Sequence, residues 1–157
     1  MSKVEEARAI LKELQVPAKQ QADLCCFVLL AMANIKEQDL WLSATNEWIR
    51  IHDVIAYTKE YYGVAYAENS RETFRKQAMH HFRNAAFIED NGKATNSPNY
   101  CYRLTDEMLS LIRNYGTESL QTAKANFLNS HETLVSLYAS KRTMRKMPVQ
   151  INGEDFT

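Results

Sequence analysis

Glycine occurs 4 times in the 157 residues, proline 3 times and cysteine 3 times. So few turn formers exclude a collagen-like chain or a turn-dense all-β chain and favour a helical one. Cys25, Cys26 and Cys101 cannot all pair within one chain. Cys25 and Cys26 are also sequence neighbours, whose side chains diverge on a helix. Reduced, buried thiols in a cytoplasmic protein are the reading. The longest apolar run, ending at Ala33, is far shorter than the roughly 20 residues that span a bilayer. The opening MSKVEEARAI lacks a signal-peptide layout. No membrane association is expected.

An excess of one charge is missing as well, because 19 basic residues balance 19 acidic ones. A polycation is excluded, so any nucleic-acid site must be a local patch. Such patches exist: residues 69–104 carry 6 basic and 3 acidic groups, and the run KRTMRK at 141–146 carries 4 basic and none acidic. Catalytic signatures are also absent. There is no GxxxxGK[ST], GxGxxG, GxSxG, CxxC or HExxH. None of the 10 lysines follows an acidic residue by two positions, the spacing metal-dependent nucleases use. The chain itself shows no active site and no cofactor motif.

What is present is helical periodicity broken once by extended segments. Ser2 caps a first helix from about Lys3 to Gln15, ended by Pro17. A second helix, about Ala18 to Asn34, contains CCFVLLAMA, apolar on all sides and hence the centre of the core. Leu40, Trp41 and Leu42 suggest a very short strand, and Trp48, in a loop from Ser43 to Arg50, is expected to point inward. A third helix runs from Ile51 to Tyr62 and stops at Gly63. Asn69, with Glu72 three residues on, has the capping-box pattern for a fourth helix, about Ser70 to Ala85. Strands follow at 87–89 and 100–104, joined by a loop with an Asn91-Gly92 turn signal. Further helices are expected at 106–114, 118–128 and 131–146. The predicted fold class is mainly α: a winged helix-turn-helix with a small β-hairpin wing, flanked by helices at both ends.

The fourth helix carries the functional signal. Phe74, Ala78, Phe82 and Ala85 share its apolar face. At roughly 100° per residue, Arg75, Lys76, Met79, His80 and Arg83 fall opposite, with Arg71 flanking them. A helix of this kind fits the major groove, where arginine is the commonest reader of guanine. Lys93, Thr95, Asn96 and Ser97 give the wing polar groups for the neighbouring backbone. The plainer reading of each feature is a solvated basic face and an ordinary surface loop. His81, near the apolar face, is assigned to packing.

The run NSRETFRKQAMHHFRNAAFIEDNGKATNSPNYCYRL resembles the N-terminal region of type II restriction endonucleases of the BsuBI/PstI family. There an Asn-Ser/Thr-Arg-Glu-Thr-x-Arg-x-Gln helix precedes a hairpin with an Asn-Ser-Pro turn. Here these are Asn69, Ser70, Arg71, Glu72, Thr73, Arg75 and Gln77, then Asn96, Ser97 and Pro98. Residues 11–36 and the tail VQINGEDFT are similar to the same family's opening helices and to the junction before its catalytic region. The resemblance implies a helix-turn-helix part followed by an Mg²⁺-dependent PD-(D/E)xK nuclease that cleaves palindromic duplex DNA as a homodimer. It adds Thr73 and Gln77 to the candidate DNA-binding residues.

The expected organisation is a recognition domain over 1–104, a helical extension for packing or dimer contacts over 105–146, and the start of a linker or strand over 147–157. Asn152-Gly153 after alternating Val149 and Ile151 reads as a clipped hairpin. Two alternatives stay open: a stand-alone winged-helix regulator, and an interaction module whose basic face binds an acidic partner.

Overall fold

The computed structural model describes residues 2–93, 97–129 and 131–132. The expected segments 133–146 and 147–157, including KRTMRK and the clipped hairpin, lie outside the described residues, as do Thr95 and Asn96.

Helix α1, Lys3–Glu13, starts where Ser2 Oγ accepts from the Glu5 amide at 3.2 Å. Pro17 opens a 3₁₀ turn, Ala18–Gln21, and α2 follows over Asp23–Ala33. Every residue of α2 from Leu24 to Ala33 is buried. An all-apolar helix has no face to offer water, so other elements must surround it. Helices α1 and α3, the fourth helix and the second strand all pack against it. Asn34 ends α2 in the left-handed region at φ 57°, and the Ile35 amide donates back to Leu30 O at 3.0 Å.

Trp41–Ser43 is a 3₁₀ turn and not the expected strand. Trp41 is drawn inward because its indole Nε1–H donates to Glu6 Oε1 at 2.7 Å. The short strand element lies further on, at Ile49, whose amide and carbonyl pair with Tyr102 at 2.8 Å each. Trp48 points outward, 44% exposed, with the Arg103 guanidinium 4.5 Å from its ring centre. Alternation explains this: with Ile49 turned to the core, its neighbour must face the other way.

Helix α3 spans Ile51–Tyr62, as expected, and Gly63 caps it at φ 72°. A 3₁₀ turn, Glu68–Ser70, leads into α4, residues 71–84, and the Asn69 capping box does not form. Helix α4 is not uniform. It is α-helical over Arg71–Phe74, a π turn over Arg75–Met79, and α-helical again over His80–Asn84. The wide turn admits one more residue per revolution. Phe74, Ala78, Met79 and Phe82 therefore all reach the core, each at most 1% exposed. Cys25 Sγ donates to Gln77 O at 3.3 Å inside this turn, occupying a carbonyl of the irregular turn.

Ala86 closes α4 in the left-handed region at φ 64°, a cost of about 1–2 kcal/mol for a residue with a Cβ. Strand β1, Ile88–Asp90, then pairs antiparallel with β2, Tyr102–Leu104, in the register Ile88–Leu104, Glu89–Arg103, Asp90–Tyr102. Thr105 Oγ1 donates to Ala86 O at 2.8 Å and accepts from the Met108 amide at 3.2 Å, which starts α5, Asp106–Arg113. Helix α6, Leu120–Asn129, follows and buries Phe127 against Phe87. Buried helix, short strand, two helices and a hairpin make a winged helix-turn-helix, with α1, α5 and α6 flanking it. Among the described residues no helix is long and apolar enough to cross a membrane.

Two measurements check this packing. Met79→Ala should lower unfolding stability by about 2–5 kcal/mol, whereas Lys76→Ala should change it by at most about 0.5 kcal/mol, as read from urea midpoints. Equal effects would contradict the wide turn. Burial pushes the Cys25 thiol up to about 11 and the Cys26 thiol up to about 12. In the folded protein at pH 8 a thiol-disulfide reagent should therefore titrate Cys101 alone, and all three cysteines after denaturation.

Candidate nucleic-acid interface

The exposed side of α4 begins with Arg71, Glu72 and Thr73, continues through Lys76 and Gln77, and ends with His80, His81 and Asn84. Thr73, Lys76, Gln77 and His80 are exposed along α4, and Arg71, two residues before Thr73 and so on another side of the helix, is exposed at its start. Met79 does not join them. It is fully buried, because the π turn swings it under the helix. His81, expected to pack, is exposed, its ring 5.8 Å from that of His80. His80 Nε2 and Asn84 Nδ2 lie 3.2 Å apart, one turn on.

Arg83 has a different environment from the other basic residues. Its Nη1 donates to Asp90 Oδ2 at 2.8 Å and to the Tyr100 hydroxyl at 3.0 Å. Asp90 is fully buried and its second oxygen accepts from the Gly92 amide at 2.8 Å. The expected surface reader is thus a structural tie. Arg83 and Asp90 hold the end of α4 to the root of the wing.

The wing root is built from short polar links. Asn91 Nδ2 donates to Asn99 O at 2.6 Å, and the Lys93 amide donates to Asn91 Oδ1 at 3.2 Å. Gly92 takes φ 79°, which the turn requires. Ser97 Oγ accepts from the Asn99 amide at 3.1 Å, so this hydroxyl shapes the returning strand. Lys93 is exposed.

Between the start of α3, the first half of α4 and the wing lies an open cleft of about 380 Å³. Arg50, Ile51, His52, Arg71, Arg75, Ser97, Pro98 and Tyr100 line it. Among the described residues no carboxylate lines it. Arg50 Nη1 donates to Pro98 O at 3.3 Å, and its Nε donates to Asp53 Oδ2 at 3.2 Å. Arg75 Nη1 donates to Glu72 Oε1 at 2.6 Å, while its buried Nε has no acceptor among the described residues. Sequence reading missed Arg50 and His52. They precede α4 by about 20 residues, and only the fold brings them beside Arg71 and Arg75. The available signal was a basic pair at the start of a helix facing a wing.

A family model described as the BsuBI/PstI restriction endonuclease HTH domain matches residues 1–136. The chain belongs to this family. It is 39% identical over 154 residues to the type II restriction enzyme BsuBI of Bacillus subtilis, covering 96% of this chain and 49% of that protein. It is 32% identical over 149 residues to the type II restriction enzyme AplI of Arthrospira platensis, covering 93% and 46%. The structure of SdaI restriction endonuclease superposes with a TM-score of 0.76 at 31% identity, covering 86% of this chain and 44% of that one. The chain spans about half the length of the curated relatives it matches. The BsuBI/PstI assignment covers α1 through α6, so the flanking helices are part of the family's domain and not additions to it.

The Arg83–Asp90 tie can be measured directly. Asp90→Ala leaves a nearly buried guanidinium without its carboxylate and should cost about 3 kcal/mol of stability. Lys93→Ala, at the exposed wing, should cost at most about 0.5 kcal/mol. Equal thermal melting of the two variants would refute the tie.

Proposed function

We propose that this chain is the DNA-recognition part of a type II restriction endonuclease. In this reading α4 enters the major groove, where Arg71, Thr73, Arg75, Lys76, Gln77 and His80 divide between base edges and phosphates. The wing, with Lys93 and Ser97 and extending through Thr95 and Asn96, rests on the adjacent backbone. The observation that carries the reading is the exposed polar stripe of α4 in a domain of the BsuBI/PstI family. Thr73, Lys76, Gln77 and His80 supply its polar groups, and Arg71 and Arg75 line the cleft beside it.

The organisation follows from the same reading: residues 1–104 recognise DNA, and α5 and α6 extend the module for packing or dimer contacts. Phosphodiester hydrolysis with Mg²⁺, palindromic sites, a homodimer and a cytoplasmic location belong to the whole enzyme in this proposal. Among the described residues no cluster of three or more His, Cys, Asp or Glu side chains is placed to hold a metal ion. No catalytic step is therefore derived on this chain.

The test is fluorescence anisotropy with labelled duplexes over a series of salt concentrations. Affinity should fall steeply with salt, and one family of sequences should bind preferentially. Gln77→Ala should cost about 1–3 kcal/mol on the preferred duplex and relax discrimination at one base pair. No binding of any duplex at low salt, or equal binding of an acidic peptide, would overturn the proposal.

A further inference from the structure

The recognition helix accounts for one face of the site but not for the cleft beside it. That cleft draws basic side chains from two separate helices, and none of the described residues lining it is acidic. Arg50 and His52 come from the start of α3, and Arg71 and Arg75 from α4. Ser97, Pro98 and Tyr100 close it from the wing side. Like charges converging from two elements repel one another, a cost their local carboxylates offset only in part. An anionic ligand removes that cost.

Two of these arginines have weak partners. Arg50–Asp53 and Arg75–Glu72 are i,i+3 pairs with both members partly exposed, so solvent screens them and each contributes little. A phosphodiester presents two anionic oxygens that match the planar fork of a guanidinium, so it competes well with either carboxylate. Arg75 also carries an Nε–H for which the described residues supply no acceptor. Arg50 meanwhile reaches the wing through Pro98 O. The group that meets the ligand also fixes the position of the wing.

We propose that this cleft is a phosphate clamp: Arg50, Arg71 and Arg75, with His52, hold one backbone phosphodiester of the bound duplex, and Arg50 couples that contact to the wing. The inference rests on the DNA-recognition reading and assigns it a register-setting contact. The clamp carries no sequence information. It fixes where along the duplex the stripe of α4 meets base edges.

Arg50→Ala should weaken binding of preferred and scrambled duplexes by the same factor, roughly tenfold. It should also reduce the slope of log affinity against log salt by about one. Replacing single backbone phosphates with methylphosphonate should reveal one position where wild type loses affinity and Arg50→Ala loses none further. Arg50→Lys should restore the slope without restoring the full affinity. Thermal melting of each variant controls for folding. An unchanged slope, or altered sequence preference in Arg50→Ala, would overturn the clamp while leaving the recognition reading intact. If wild type binds no duplex, the recognition reading fails, and inorganic phosphate decides the cleft. Its titration must then shift the Nε–Hε resonances of Arg50, Arg71 and Arg75, and no shift overturns the site.

Discussion

Helix α2 has no solvent face, and that constraint organises everything around it. Residues Leu24 through Ala33 are all buried, so α1, α3, α4 and β2 must cover it from different sides. At roughly 25 cal/mol per Å² of apolar surface, leaving even one side of such a helix uncovered would cost several kcal/mol. The surrounding elements therefore have little freedom in register. Helix α4 shows the effect most clearly. It must present Phe74, Ala78, Met79 and Phe82 to the core, and a regular helix does not bring Ala78 and Met79 equally inward. The π turn over Arg75–Met79 resolves the mismatch, and Cys25 Sγ occupies a carbonyl within it. The irregularity lies in the middle of the helix that carries the exposed polar stripe. Core packing and the orientation of the stripe are thus one problem with one solution.

The wing is held by a second constraint, a fully buried carboxylate. Asp90 bonds Arg83 of α4, lies 3.5 Å from the Tyr100 hydroxyl on the returning segment, and accepts from the Gly92 amide in the turn. Burying a carboxylate is costly unless it is paired and hydrogen-bonded, and these contacts meet that condition. The outcome is geometric: the end of α4 and the root of the wing move as one body. A cross-strand pair, Glu89 with Arg103 at 3.0 Å, reinforces the same hairpin from its other side.

Much of this was legible in the sequence, and the omissions share a cause. The bounds of α3 followed from Ile51 periodicity and Gly63. The capped start of α1, the buried α2 and the two strands also followed from local pattern. What the pattern could not give was the path of α4, because its apolar residues fit a 3.6-residue period everywhere except at Met79. The left-handed closure at Ala86 left no trace either, since alanine gives no sign of a positive φ. Leu40–Leu42 suggests a short strand, yet the extra strand element forms at Ile49, where Tyr102 supplies a partner. Strand pairing is a tertiary event, and propensity records only half of it. The exposure of Lys76 and His80 was readable from the period of one helix, whereas the burial of Met79 and the Arg83–Asp90 tie were not. The cleft was not, because Arg50 and Arg71 become neighbours only through the fold.

The arginines around α4 differ in how firmly the protein holds them, and the differences follow their position. Arg83, near the end anchored to the wing, is committed to Asp90 and has little freedom left. Arg75, in the π turn, is half-buried and pairs with Glu72 on its own helix. Arg71, at the start of α4, is exposed and lines the cleft with Arg75. A side chain already ordered loses less conformational entropy on binding than one that is free, up to about 2 kcal/mol for arginine. A partly ordered arginine such as Arg75 suits a contact every duplex offers, where entropy spared adds to affinity on any sequence. The freer residues on the stripe, Lys76 and Gln77, suit contacts where the wrong partner must be rejected. For them, an unmatched base edge leaves the ordering cost without return. Affinity and discrimination are therefore drawn from different ends of the same physical scale. The buried Asp90, bonded to Arg83 and Gly92, ties the end of α4 to the root of the wing, and so would hold two such sets of contacts in register.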